Sequence, residues 1–171
     1  MILNDGFTSL GDYTFYKCPA LRTVDIPSSL ETIPNGYFAH CISLKSINLP
    51  DTLKSVECLA FLDAGLEALV IPDSVTDFRM RYLFCQHLNH FTIPKCVTTI
   101  WGRDFHNYTS LKHLTVPKHV ERIDEIGLGC CEQLEAIITE DTLEKNRIAS
   151  MLSKKYAVKV VTQDQFDNPF E

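Results

Sequence analysis

The sequence predicts a repeat solenoid that is mostly β, with a parallel sheet on one side and short, irregular strands on the back side. The first observation is a column of leucines with steps of 23, 22, 22, 23 and 23 residues, namely Leu21, Leu44, Leu66, Leu88, Leu111 and Leu134. A column of five prolines keeps the same spacing. The third observation is that this pattern stops near residue 140, where an apolar stripe and then a short apolar run predict a terminal cap.

We number the coils by their leucines, so that coil 1 begins at Leu21 and coil 6 at Leu134. A coil opens with a pattern such as "LRTVDIP", in which residues two apart alternate between interior and surface as in a strand. The proline ends the hydrogen-bond ladder. A second apolar column follows on the far side of each coil: Phe38, Phe61, Leu83, Phe105 and Leu128. One coil cannot bury these residues alone, so the coils are expected to stack.

These residues resemble the BspA-type leucine-rich repeat, whose pattern is close to LxxIxIPxxVxxIxxxAFxxCxx. The resemblance runs from Asn4 to Thr139, and the sequence departs from it where Leu83 and Leu128 replace Phe and where Glu140 replaces the sixth Pro. Residues that interrupt the Cys column are Ala64, Gln86 and Tyr108. The resemblance implies a leucine-rich-repeat-like fold and a role as a recognition scaffold, adhesin or surface antigen, without catalytic residues among the motif positions.

The C-terminal segment predicts a cap made of one helix and one strand. Asp141 is a good N-cap for "EDTLEKNRIASMLSKK", and Glu144 is placed to complete a capping box. "YAVKVVT" reads as a last parallel strand, because Val160 follows Ile137 by 23 residues. The expected organisation is therefore repeats at 1–140, a capping helix and strand at 141–162, and a flexible tail at 163–171.

The tail contains Asn168, Pro169 and Phe170, a tripeptide that resembles the motif bound by EH domains. The alternatives are a disordered tail, or packing of Phe166 and Phe170 on the cap.

The N-terminal end has no comparable cap in the sequence. Phe7, Leu10 and Phe15 continue the apolar pattern, yet only Met1 to Leu3 precede it as a truncated strand. Solenoid ends are normally capped by polar residues. We therefore expect either that the chain begins inside a longer parent protein or that this end meets a partner, including self-association.

The outward face of the predicted sheet is the candidate binding surface, because solenoids commonly bind on this side. It combines small polar residues in the first coils with histidines in later ones, so no charged ligand class is favoured. Strand alternation and the flanking positions assign these residues to protein binding: Arg22, Thr23, Asp25, Lys45, Ser46, Asn48, Glu67, Val70, Asn89, His90, Thr92, Lys112, His113 and Thr115.

An enzyme or metal site built from His or Cys residues is the remaining alternative. His90 and His113 hold equivalent positions in adjacent coils, with His87 nearby, but no carboxylate or thiol is placed to complete a zinc tetrahedron. The sequence contains seven cysteines and no C-x-x-C pair, which favours free thiols in a reducing compartment. We expect no catalytic residues, no metal and no cofactor.

The net charge and the apolar runs of the sequence indicate which kinds of partner to expect. A net charge of −6 argues against nucleic acid, and no apolar run reaches the length of a membrane helix. The sequence therefore predicts a non-enzymatic scaffold that binds a protein partner on its parallel-sheet face. The expected location is cytoplasmic, and the alternative is a surface adhesin or antigen domain, cell-surface or secreted, within a longer protein.

Overall fold

The computed structural model of the 171-residue chain describes residues 11–78, 83–106, 108–128, 131–152 and 158–167. Within these ranges the chain winds as a parallel solenoid. Its strands and α-helices are β1 Thr32–Ile33, β2 Ser55–Val56, β3 Ala68–Leu69, β4 Asp77–Phe78, β5 His90–Thr92, β6 Thr99–Ile100, β7 His113–Thr115, β8 Arg122–Ile123, β9 Ala136–Thr139, α1 Thr142–Met151, β10 Lys159–Thr162 and α2 Gln163–Asp167, and a 3-10 helix spans Glu125–Leu128.

The front sheet has the strand order β10-β9-β7-β5-β3, and every pair in it is parallel. An isolated parallel bridge between Asp25 and Asn48 continues the same side into coils 1 and 2. The register aligns His90 with His113 and Val160 with Ile137, so equivalent residues of adjacent coils lie side by side. The predicted parallel sheet and the final strand are confirmed.

The back side consists of strands of only two residues. One three-stranded sheet has the order β1-β2-β4, and a two-stranded sheet joins β6 to β8. Each pair links residues one coil apart, for example Ile33 with Val56 and Ile100 with Ile123. The predicted short-strand back side is therefore confirmed.

The repeated apolar columns meet in one continuous core between the two sides. Phe38 is fully buried and stacks nearly parallel on Phe15 and Phe61, with ring centroids 5.6 and 5.7 Å apart. Leu83, which replaces Phe in this column, is also buried. Each apolar residue is buried against its equivalent in the next coil, so the apolar positions repeat while the surface residues vary.

The cysteine column is bonded to the neighbouring coil. Each of its buried thiols donates to the carbonyl oxygen of a phenylalanine one coil earlier: Cys41 to Phe15 at 3.1 Å, Cys85 to Phe61 at 3.4 Å and Cys131 to Phe105 at 3.9 Å. Burial raises the pKa of the Cys41 thiol to about 11, so this column is poorly suited to nucleophilic chemistry.

Cys85 corrects the register predicted for the fourth member of that column. Counting from the preceding apolar column assigns the position to Gln86, but Gln86 is exposed and its amide donates to Asp63 at 2.6 Å. Cys85 is fully buried, and its carbonyl accepts from Leu88 as the Cys41 carbonyl accepts from Leu44. Burial costs a thiol less free energy than it costs an amide, so Cys85 and not Gln86 takes the buried position. This coil is one residue shorter than a 23-residue coil, and the position that it lacks therefore lies before the cysteine.

The other 22-residue step has a different cause. Gly65 occupies the shortened connection before Leu66, and its N–H donates to the Cys41 carbonyl at 3.1 Å. A side chain there would collide with the Ile42 carbonyl oxygen. Glycine therefore permits the close approach of backbones that this short coil requires.

Left-handed residues turn the backbone around the Phe column. In the first three described turns they stand two positions before and two after the Phe residue: Tyr13, Lys17, Gly36, His40, Leu59 and Asp63. Only one of them is glycine, which is why the sequence gives no sign of this repeated turn.

The predicted cap is present. Asp141 accepts from the Glu144 N–H at 2.9 Å, and Ile148 is buried against the solenoid. The Glu144 carboxylate, expected to complete a capping box, binds Arg147. Arg147 also donates to the Val120 carbonyl at 2.7 Å and so ties α1 to coil 5.

Residues 163–167, predicted as the start of a flexible tail, form α2. This short helix begins directly after β10 and packs on β9 and β10. Asn168, Pro169 and Phe170 lie outside the described residues. None of the helices in the described ranges has the length and apolar character needed to cross a bilayer.

Candidate functional site: the outward face of the front sheet

The front sheet presents two ladders of outward side chains, and a third ladder flanks them; together they form the front face. Strands in a sheet lie about 4.8 Å apart, so each ladder offers one side chain at that interval. The first outward ladder is Thr23, Ser46, Ala68, His90 and His113, the second is Asp25, Asn48, Val70, Thr92 and Thr115, and the flanking ladder is Arg22, Lys45, Glu67, Asn89 and Lys112.

The structure divides the predicted binding residues by exposure. Three of them are half-buried, namely His90, His113 and Thr115. All the others are exposed: Arg22, Thr23, Asp25, Lys45, Ser46, Asn48, Glu67, Val70, Asn89, Thr92 and Lys112. Solvent therefore reaches the front residues of coils 1 to 3 freely, whereas part of the front face of coils 4 and 5 is shielded from it.

The covering element is α2. The Phe166 ring lies 4.8 Å from the His113 ring, at an interplanar angle of 69°. Ala136, which follows His113 in the first ladder, is only 8% exposed, although Ala68 in the same ladder is exposed. We call the front residues of coils 1–3 the open half, and His90, His113, Thr115 and Ala136 the covered half.

The covered half contains a connected pair of histidines. The His90 and His113 rings lie 6.1 Å apart, and Nε2 of His90 lies 3.1 Å from the Thr115 hydroxyl. Burial, and secondarily the neighbouring His113, lower the pKa of His90 below its usual 6.5. The His113 Nε2 lies 3.8 Å from the Glu135 carboxylate.

Ion pairs between adjacent coils neutralise the flanking ladder. The Lys45 ammonium lies 3.1 Å from the Glu67 carboxylate, and the Lys112 ammonium lies 3.2 Å from the Glu135 carboxylate. Sequence reasoning missed Glu135, although it follows Leu134 as Lys112 follows Leu111. It also missed the position of Phe166 on His113; the available signal was the capping pattern of Thr162 and Gln165.

A shallow groove adjoins the open half at the proline end of coils 3 to 5. The exposed Val70 side chain stands at one end of it, and an ion pair between Asp73 and Lys95 at 3.6 Å marks its rim. Its lining is apolar at the base, where Ile93 and Pro94 are buried. The groove gives the otherwise polar open half an apolar border.

The thiols, the histidines and the N-terminal end are the remaining features that the sequence singled out. None of the described cysteines is in a disulfide, and within the described residues no three His, Cys, Asp or Glu side chains are grouped to hold a metal ion. Phe15 is half-buried against Phe38, while Phe7 and Leu10 lie outside the described residues. Self-association through this end stays a prediction.

Comparison with protein families gives one match over most of the chain. The model for the BspA type leucine rich repeat region matches residues 1–87 and 80–155, with six copies. Among curated proteins, none matches this sequence.

Several solved structures have the same fold. The pneumococcal vaccine antigen PcpA superposes with a TM-score of 0.68 at 23% identity, over 95% of this chain and 41% of that chain. A leucine-rich repeat protein from Bacteroides ovatus ATCC 8483 gives 0.64 at 25% identity, over 97% and 45%. The leucine-rich repeat protein TpLRR from T. pallidum gives 0.63 at 20% identity, over 90% and 83%. The chain therefore spans less than half the length of the first two of these proteins.

Proposed function

This chain belongs to the BspA-type leucine-rich repeat family, and we propose that it is a non-enzymatic scaffold that binds a protein partner through the open half of its front face. The observation that carries this proposal is the set of exposed ladders in coils 1–3, in which Val70 is 76% exposed. An aliphatic side chain so exposed contributes little to packing against the described residues of this chain.

The arrangement around Val70 has the composition of a protein interface. Protein interfaces join an apolar centre to a polar rim. Val70 and the adjoining groove supply the apolar part, while Ser46, Asn48 and Asp25 supply hydrogen-bonding groups on parallel ladders. The stacked coils, joined here by the bridge between Asp25 and Asn48, position these groups, so little backbone entropy is lost on binding.

The charges favour a partner that is polar but not highly charged. Lys45 pairs with Glu67 on the flank, and Asp73 pairs with Lys95 at the groove. Such pairs leave no strip of one sign, which is what a polyanion would need. A folded protein surface with a small apolar protrusion fits this face.

The experiment compares matched charge changes on the two sides of the solenoid. A partner captured by the wild-type protein is purified and titrated against Asp25→Lys with Asn48→Lys, and against Val70→Asp. We expect both front variants to lose binding while their melting temperatures stay nearly unchanged, because surface changes shift stability by about 0.5 kcal/mol or less.

The control pair is Glu31→Lys with Lys54→Glu, two exposed residues outside the front face. This variant should bind like the wild type. Loss of binding in the control together with full binding in both front variants would refute the proposal.

The second candidate is a surface adhesin or antigen domain, in place of the cytoplasmic location expected from the sequence. The observation that favours it is that a protein of the same fold, PcpA, is a vaccine antigen. The test is digestion of intact cells with a protease, followed by detection with an antibody to this chain. Cleavage before lysis supports surface display, and protection until lysis supports the cytoplasm.

A further inference from the structure

We infer that the covered half is a subsite for an aromatic side chain, which Phe166 of the chain itself occupies in this structure. The inference rests on the proposed function, since it assigns part of the same face to one kind of partner group. It concerns a partner that presents an aromatic residue from a short helical turn.

The first argument is the contact itself. Phe166 meets His113 edge to face, with 4.8 Å between ring centroids, and His113 in turn meets His90 edge to face at 6.1 Å. Aromatic rings favour this geometry because the positive edge of one ring faces the negative face of the next. An aliphatic side chain at the same place would have no such preference.

The second argument is that the rings of the subsite are held in position. His90 is fixed by the Thr115 hydroxyl at 3.1 Å, and His113 lies 3.8 Å from the Glu135 carboxylate. Ala136 is the next member of the ladder, and it is only 8% exposed on the strand against which α2 packs. The platform is therefore preformed by strands β5, β7 and β9.

The third argument is that α2, which presents Phe166, is only five residues long. The Thr162 hydroxyl accepts from the Gln165 N–H at 3.3 Å, and Oε1 of Gln165 lies 3.3 Å from the Thr162 N–H and 2.8 Å from the Lys145 ammonium. These bonds form a capping box, which orients the helix. A helix of five residues has little stability of its own, so a competing aromatic group can displace it.

The chain's own segment also indicates what a competing group resembles. Asp164 and Asp167 stand on either side of Phe166 and are exposed. A partner segment with one aromatic residue between acidic neighbours reproduces this arrangement. The tether gives Phe166 an effective concentration of the order of millimolar at the subsite. A competing group must therefore be present at a higher concentration or bind the subsite more tightly than Phe166 does.

The experiment is an NMR titration of the full-length chain with a synthetic probe. The probe is the capped hexapeptide TQDQFD, which copies residues 162–167, and the control peptide is TQDQAD. The imidazole resonances of His113 and His90 are assigned with His113→Gln and His90→Gln. The proteins compared are the wild type, Phe166→Ala and the conservative Phe166→Leu, each checked by thermal melting.

We expect TQDQFD to shift both resonances saturably in Phe166→Ala, at concentrations about tenfold or more below those the wild type requires, because the tethered ring no longer competes. Phe166→Leu should behave like Phe166→Ala. TQDQAD should cause no saturable shift in any of the proteins.

Equal shifts by the two peptides, equal titrations of the wild type and Phe166→Ala, or no shift in Phe166→Ala would each overturn the inference. The titration needs no natural partner, so its failure is distinct from failure of the proposed function. Loss of partner binding on Asp25→Lys with Asn48→Lys tests the open half alone.

Discussion

The open and covered halves of the front face are built from the same repeat yet differ in what solvent can reach. Ala68 and Ala136 are the same residue type in the same ladder, three coils apart, and one is exposed while the other is 8% exposed. The repeat itself gives no reason for this difference. It arises because α2 returns over β9 and brings Phe166 onto His113. A solenoid surface is therefore defined by what packs on it as well as by its own columns.

Substitutions in the core should destabilise the protein equally under the open and the covered half. This comparison tests whether the difference between the halves is confined to the surface. Phe38 lies beneath the open half and Phe105 beneath the later coils, and both are fully buried. We expect Phe38→Ala and Phe105→Ala each to lower the free energy of unfolding by about 3–5 kcal/mol, measured by chemical denaturation. A loss below about 1 kcal/mol in either variant would show that the assigned coil register is wrong.

The cap should matter to the covered half more than to the open half. Asp141→Ala removes the bond to the Glu144 N–H, and loss of an N-cap costs about 1 kcal/mol. Hydrogen exchange should increase in α1 and β10 and stay unchanged in coils 1–3. The exposed Asp51→Ala serves as the control and should shift stability by no more than about 0.5 kcal/mol. Equal effects of the two substitutions would contradict the capping role.

The histidine pair should make the stability of the covered half depend on pH. The folded pKa of His90 lies below its unfolded value of 6.5, so the unfolded chain binds more protons as the pH falls past 6.5. The stabilising effect of neutral His90 is thus complete above 6.5 and is lost as the pH falls through the lowered pKa. Melting curves of the wild type and His90→Gln should diverge over this window, with the wild type losing more stability. A constant difference at all pH values would exclude this effect.

The smallest effect is expected for the flanking ion pairs, one in each half. Lys45 pairs with Glu67 in the open half and Lys112 with Glu135 beside the covered half, and all four side chains are about half exposed. Lys45→Ala and Lys112→Ala should each cost at most about 1 kcal/mol, and added salt should reduce the cost. A clearly larger cost for Lys112→Ala would mean that α2 excludes water from that pair as well.

The features that the sequence predicted are those that a single coil and its neighbour specify. The leucine and proline columns predicted the parallel front sheet, and the spacing of Ile137 and Val160 predicted the last strand, which pairs in that register. Asp141 was recognisable as an N-cap because capping involves residues three apart. Each prediction depended on a pattern that repeats or on a local hydrogen bond.

Sequence reasoning missed features for which neighbouring residues, or two backbone conformations of one residue, are equally compatible with the local sequence. Cys85 and Gln86 are adjacent, and only the packing of the interior places the thiol inward and the amide outward. The left-handed conformations of residues such as Leu59 and Lys17 have no marker in the residue type. They are imposed by the neighbouring coils, whose backbone groups bond to this turn.

The sequence by itself determined that this chain is a stack of like coils, since repeated apolar residues can be buried only against their equivalents in the next coil. It also determined which residues face outward on the front sheet, because side chains alternate along a strand. Only the tertiary structure decided which of these outward residues are exposed to solvent. The contact between Phe166 and His113 joins residues far apart in the chain and has no periodic signal, so it follows from the path of the chain after β10 and not from the repeat.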